Sequence, residues 1–475
     1  MRRIVLVRMA LVMAIVLSTA LFAVTRSTAL FAQEAGPEQA VPARVALVHA
    51  APFAAGSATV SVFLDNLLVD DSFAFGDVIT YLNVPPGTYR VRVFVGSFSS
   101  LPTGVTPALD VTGVTVDANT DYTLVAIGGS NDFPLELLTL VDRTPSTPPP
   151  ASAEGQVRVV HAAPFARGLP ATAVDVVPDA GGSPIASNVR YRDSTPFLTL
   201  PSGTPIDVEV RFAGTNVVLI DPDAFTLAPG QRLSVFAIGD GTNQPVRALV
   251  VPAETQSARV RLAHAAPFAS GAATATVTLN GAVVTNALNF GQATAYSSVP
   301  AGVYQARIYA GTSATGTPVF DGVAVFLPNT NYTAVAIGRN TPTYPIDVLL
   351  LTDDPTRPPL GQARLRIVHA APFAPTVAGN QVHIVSTTGG PPLVTGLDYA
   401  EVAGYLTVPA ATPFNLRLVS ALAPATTILE LPPLIFADGQ VITAIAVGDA
   451  VNQQPSLLPL EDLTLARIYL PFAVR

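Results

Sequence analysis

The chain has 475 residues, a formal net charge of −8, 49% hydrophobic and only 12% charged residues. That length exceeds one core and suggests about three or four domains. The acidic balance excludes the basic footprint that nucleic acid requires, and the absence of Cys excludes disulfides and cysteine metal sites. There is no Trp and no Lys, so every basic side chain is Arg.

The N-terminus reads as an export signal. Arg2, Arg3 and Arg8 precede an apolar run from Met9 to Val24, and Ala29 and Ala32 offer small-residue cleavage positions. Residues 1–32 are therefore set apart as a signal peptide, with an uncleaved anchor as the alternative. No second long apolar segment follows, so no membrane span is expected after cleavage. The expected location is extracellular or the cell envelope.

The rest of the chain repeats. Val-His-Ala-Ala-Pro-Phe-Ala stands at Val48–Ala54, Val160–Ala166 and Val368–Ala374, and with a leading Ala at Ala263–Ala269. Its histidines are His49, His161, His264 and His369, and its prolines Pro52, Pro164, Pro267 and Pro372. The copies lie roughly a hundred residues apart, too long for a solenoid and suited to independent domains. A proline-led turn follows each copy, starting at Pro85, Pro201, Pro300 and Pro409. An apolar strand ending in Gly comes next, at Tyr122–Gly128, Leu233–Gly239, Tyr332–Gly338 and Ile442–Gly448.

In the first copy, strands are expected at Arg44–His49, Thr59–Leu64, Ile79–Val84, Tyr89–Val95, Val111–Val116, Tyr122–Ile127 and Leu135–Val141. Short alternating strands, frequent turns and no helical period predict an antiparallel β-sandwich, with a small barrel as the alternative. The fold class is thus all-β, with four tandem immunoglobulin-like sandwich domains at 43–142, 156–252, 257–352 and 362–465, and a C-terminal tail at 466–475.

The pattern R-V-x-x-x-H-A-A-P, then P-x-G-T-Y-x-V-x-V, then Y-T-x-V-A-I-G, resembles the bacterial domain-of-unknown-function 4397 family over nearly all of residues 43–460. The resemblance implies exported or cell-envelope proteins with tandem immunoglobulin-like domains, and no agreed activity. That family commonly has an acid after the motif proline. Phe53, Phe165, Phe268 and Phe373 stand there instead, so no ion-binding acid is implied. The ending Ile468–Arg475 resembles a short terminal tail of exported proteins, with a plain final β-strand as the alternative.

Chemistry is sparse. Strand alternation puts Val45, Leu47 and His49 on one face and Arg44 on the other, and the same holds for His264 against Arg259 and Arg261, and for His369 against Arg364 and Arg366. A histidine on an apolar face before a Pro-containing turn is expected to hydrogen-bond loop backbone. A metal site needs three or four convergent ligands, and no second His or acid recurs beside it. Replacing one such histidine should destabilise its own repeat alone. Asp70-Asp71, Asp221-Pro222-Asp223 and Asp353-Asp354 read as unmatched between repeats and follow no calcium loop. No G-x-S-x-G elbow is present.

No catalytic, cofactor or metal site is therefore expected. The leading reading is a non-enzymatic, secreted or cell-surface protein with a structural, adhesive or spacer role. The alternative is a binding module for a glycan or cell-wall polymer. Expected partners are a cell-wall or extracellular polymer, or the protein itself. The repeats also alternate. Phe73–Gly76 and Asn289–Gly291 mark the first and third, while Asp240…Asn243-Gln244-Pro245 and Asp449…Asn452-Gln453-Gln454-Pro455 mark the second and fourth. A duplicated two-domain block follows. The proline-rich joints Thr144–Ala153 and Asp353–Gly361 read as the mobile ones, and the short joint Pro252–Ser257 as the stiff one.

Overall fold

The computed structural model describes residues 41–463, apart from 149, 152, 254, 255 and 272. The expected signal peptide and C-terminal tail lie outside the described residues. What is described is all-β, with short 3₁₀ turns at Leu169–Thr172 and Ala378–Asn380. Among the described residues no helix is long and apolar enough to cross a membrane.

The first repeat forms β1 (Ala43–His49), β2 (Val60–Leu64), β3 (Leu67–Phe73), β4 (Val78–Val84), β5 (Gly87–Val95), β6 (Leu109–Val116), β7 (Asp121–Ile127) and β8 (Glu136–Arg143). Seven of these match expected strands. The eighth, β3, is an edge strand carrying Asp70 and Asp71, and charge at an edge hides the alternating pattern while it blocks edge-to-edge pairing. One sheet runs β4-β1-β7-β8 and the other β3-β2-β5-β6.

The same His-bearing sheet recurs around the strands Glu154–His161, Ser257–His264 and Gln362–His369, each with its own second sheet. Within each repeat, the ladders described are antiparallel except one. The His strand runs parallel to the later Gly-ended strand, with His49 opposite Ala126, His161 opposite Ala237, His264 opposite Ala336 and His369 opposite Ala446. Parallel strands favour burial on both faces and read as continuous apolar runs, as Val-Ala-Ile does here. The glycine ending that strand is required by geometry. At Gly239 φ is 96°, and a Cβ there would lie 2.1 Å from the Pro245 carbonyl oxygen.

The two sheets of a repeat face each other across an apolar core. In the fourth repeat Leu365 and Ile367 meet Ile384 and Leu418, and in the second Val174, Val176 and Val210 meet Ala237. The other face of each His-bearing sheet is buried too, against the neighbouring repeat. Val48, Val125 and Ile127 of the first repeat share a core with Val160, Phe236 and Ile238 of the second. Val335, Ile337 and Leu351 of the third share one with Val368, Ile445 and Val447 of the fourth. Each large side chain buried this way contributes about 1.5–3 kcal/mol.

The chain accordingly divides into two compact units, with the break between Ala253 and Glu254. The division falls at the short joint that was expected to be stiff, not at either proline-rich joint. The proline-rich joints lie inside the units and are tied down. Arg364 donates to the Asp354 carboxylate at 2.7 Å and to the Thr356 carbonyl at 2.9 Å, and Arg232 donates to the Pro148 carbonyl at 3.3 Å. Proline had stiffened these segments, and the shared core, not linker length, sets the mobility of a joint. A histidine replacement would for the same reason act on a pair of repeats, not on one.

Candidate functional site

The recurring histidine organises the loop that follows it. Its Nε2 faces a backbone carbonyl each time: Ala58 at 3.0 Å from His49, Thr172 at 2.7 Å from His161, Ala273 at 2.6 Å from His264 and Asn380 at 2.6 Å from His369. Its Nδ1 accepts the backbone N–H two residues on, from Ala51, Ala163, Ala266 and Ala371, at 3.3–3.4 Å. A nitrogen that accepts an N–H carries no proton, so Nε2 is the donor and the ring is neutral. Burial drives the same way. It holds His161, His264 and His369 down at about 4 and lowers His49, against the opposing pull of the carbonyl bond.

The motif phenylalanine stacks on this ring, at centroid distances of 5.7 Å for Phe53, 5.5 Å for Phe165, 5.3 Å for Phe268 and 5.8 Å for Phe373. An acid there would favour imidazolium. Phe favours the neutral ring and fills the turn.

Held this way, the loop presents its proline carbonyl to the partner repeat in the same unit. Pro52 accepts from the Asn243 amide at 3.0 Å, and Pro164 from the Asn131 amide at 2.6 Å. Pro267 accepts from the Asn452 amide at 2.9 Å, and Pro372 from Arg339 at 3.3 Å. Gln244 adds bonds to the carbonyls of Ala54 (2.7 Å) and Gly56 (2.8 Å), and Gln453 to those of Ala269 (2.8 Å) and Gly271 (2.9 Å). Asp240 and Asp449 shape the donating loops by accepting their backbone N–H groups, at 2.8 Å from Asn243 and 2.7 Å from Asn452. The Asn-Gln signature of the second and fourth repeats is thus the receptor for the His-Ala-Ala-Pro loop of the first and third.

A buried polar cluster sits on the same face. Arg158, Arg261 and Arg366 are only 4%, 4% and 3% exposed, so the face that alternation assigned to arginine is covered by protein, not water. In the second unit Arg261 donates to Thr333 at 2.8 Å and crosses to Asp462, which also accepts from Tyr405 and Thr443, both at 2.6 Å. Arg366 repeats this in reverse. It donates to Thr443 at 2.8 Å and crosses to Asp353, which accepts from Tyr296 at 2.6 Å and Thr333 at 2.7 Å. In the first unit Arg158 bonds Ser234 at 2.9 Å and crosses to Asp142, which Tyr81 and Thr123 also hold. Burial, the largest cause in each case, raises the phenols of Tyr81, Tyr296 and Tyr405 above their ordinary range.

Asp353 had read as unmatched between repeats, yet it is the counterpart of Asp142 and Asp462. A sequence signal was present in Leu140-x-Asp142, Leu351-x-Asp353 and Leu460-x-Asp462. His383, found in the fourth repeat alone, accepts the Gly396 N–H at 2.9 Å. Among the described residues no group of three or more His, Asp or Glu side chains is placed to hold a metal. The geometry builds a docking face between repeats, with its histidine nitrogens and carboxylates already bonded within the protein.

Tandem two-sheet repeats without a helical layer define an all-β, sandwich-repeat protein. The chain belongs to the family described as "Domain of unknown function (DUF4397)", whose profile matches residues 43–171, 155–271 and 258–379. Beyond residue 379 the strands continue the same sheet order. No curated protein matches the sequence. Among solved structures, the Bacillus anthracis TIE protein matches at 12% identity over 82% of this chain and 66% of its own, with a TM-score of 0.16. BcpA, the major pilin subunit of Bacillus cereus, matches at 10% identity over 63% of this chain and 99% of its own, with a TM-score of 0.12. A streptococcal ancillary pilin matches at 11% identity over 60% of this chain and 94% of its own, with a TM-score of 0.11. Scores this low carry no functional conclusion.

Proposed function

We propose that this protein is a non-enzymatic, exported component of the cell envelope or its surroundings, with a structural, adhesive or spacer role. The observation that carries the reading is where the repeated polar residues go. The motif histidines and prolines, and the arginine, aspartate and tyrosine of the docking face, are directed at the protein itself and join repeat to repeat. A scaffold uses recurring residues in that way, whereas an enzyme holds some open to substrate. Export is supported by the basic, apolar and small-residue layout of the N-terminus. On this reading the partners are a cell-wall or extracellular polymer, or further copies of the protein.

The test is a pull-down of the mature protein on intact cells, purified cell wall and a glycan array, with N-terminal sequencing of the native material. Loss of the leader, with binding to the envelope or to itself, supports the proposal. Tight binding of one defined glycan would replace it with a lectin-like role. Recovery of intact Met1 in the cytoplasm would overturn it.

A further inference from the structure

The polar cluster differs between the two units in a coordinated way. The second unit has two crossed sets, Arg261 with Asp462 and Tyr405, and Arg366 with Asp353 and Tyr296. The first unit has one, Arg158 with Asp142 and Tyr81. Strand register locates the residues of the missing set. In the parallel ladders Arg158 lies opposite Ser234, Arg261 opposite Thr333 and Arg366 opposite Thr443, and Ala46 lies opposite Thr123. Ala46 therefore holds the arginine position of the first repeat. Ala253 donates its N–H to the Arg232 carbonyl as Asp462 does to that of Val441, so Ala253 holds the aspartate position of the second. Phe197, one residue before the Leu198 that pairs with Val157, holds the tyrosine position, as Tyr405 precedes the Leu406 that pairs with Leu365. All three members of one set are absent together, and the arginine and aspartate that remain at these positions, Arg158 and Asp142, pair with each other.

We propose that these arginine and aspartate positions form a pairing code that decides which repeat docks on which. The first repeat offers an acid alone and the second an arginine alone. The third and fourth offer both. First on second and third on fourth pair every arginine and aspartate at these positions. First on fourth strands Asp462, third on second strands Arg261, and second on second opposes two arginines. A buried charge without its partner is strongly destabilising, whereas removing a whole buried pair is often neutral. The code thus keeps the first two repeats from docking on the last two.

The full-length chain can test this, because single substitutions recreate the mismatches. Arg261→Ala gives the third repeat the complement of the first, and Asp462→Ala gives the fourth that of the second. Each should lower the melting midpoint of the second unit by about 6–20 °C. The combination R261A/D462A/Y405F reproduces the pattern of the first unit and should melt above both single variants. In the first unit, Ala46→Arg should lower the midpoint, and adding Ala253→Asp should recover at least half of the loss. Additive losses in the triple variant, or no recovery in A46R/A253D, would overturn the code.

Discussion

Acidification from pH 7.5 to 5.0 should destabilise both units through their buried histidines. A free histidine protonates near 6.5, while His161, His264 and His369 are held at about 4 in the fold. Between those values the unfolded chain binds more protons than the folded one. Their stabilisation is therefore complete above pH 6.5 and is lost as pH falls toward 4. At pH 5.0 the linkage comes to about 2 kcal/mol per histidine, so about 4 kcal/mol for His264 and His369 together. For a unit of this size that is a fall in midpoint of about 8–16 °C by scanning calorimetry. His49 is shifted in the same direction and adds to His161 in the first unit. Carboxylates such as Asp354, held low mainly by its bond to Arg364, weaken only in more acidic solution, so the two effects occupy different windows. Resonances of the His161, His264 and His369 imidazoles that titrate near 6.5 in the folded state, or midpoints unchanged between pH 7.5 and 5.0, would refute the reasoning.

Three further outcomes are expected. Arg158→Ala leaves Asp142 buried with only Tyr81 and Thr123, and should cost the first unit about 3–5 kcal/mol in denaturant unfolding. Gln244→Ala removes the bonds to the Ala54 and Gly56 carbonyls and should cost about 1–3 kcal/mol, read as a lower midpoint of the first unit alone. Limited proteolysis should cut first between Ala253 and Ser257, where the compact units divide, and release two fragments that each keep a repeat pair. Early cleavage within Thr144–Ala153 or Asp353–Gly361 would contradict the shared cores.

The sandwich was legible because its strands obey local rules. Tyr89-Arg90-Val91-Arg92-Val93 alternates, and glycine and proline punctuate the turns. The direction of the histidine was legible for the same reason. The opposite face was not. Arginine every second residue reads as a wet surface until its acid is found, and the acid of Arg261 lies at position 462. No local pattern links residues that far apart. Ala46 and Ala253 hid the repeat further, since an absent charge leaves no mark to count. The joints misled in another way, because proline richness reports stiffness of the chain and says nothing of the surfaces on either side.

The paired docking face also sets a rule of parity. A lone repeat of this kind would carry a sheet with Val48, Val125 and Ile127, or Val368, Ile445 and Val447, open to water beside an uncompensated arginine or aspartate. Exposed patches of that composition invite aggregation. An array of such repeats can lengthen safely only two at a time. Truncation after an odd repeat should give insoluble product, while truncation after an even one should not. The heritable quantum of length in this architecture is therefore the couple, and the Gln244 and Gln453 contacts mark where each couple is closed.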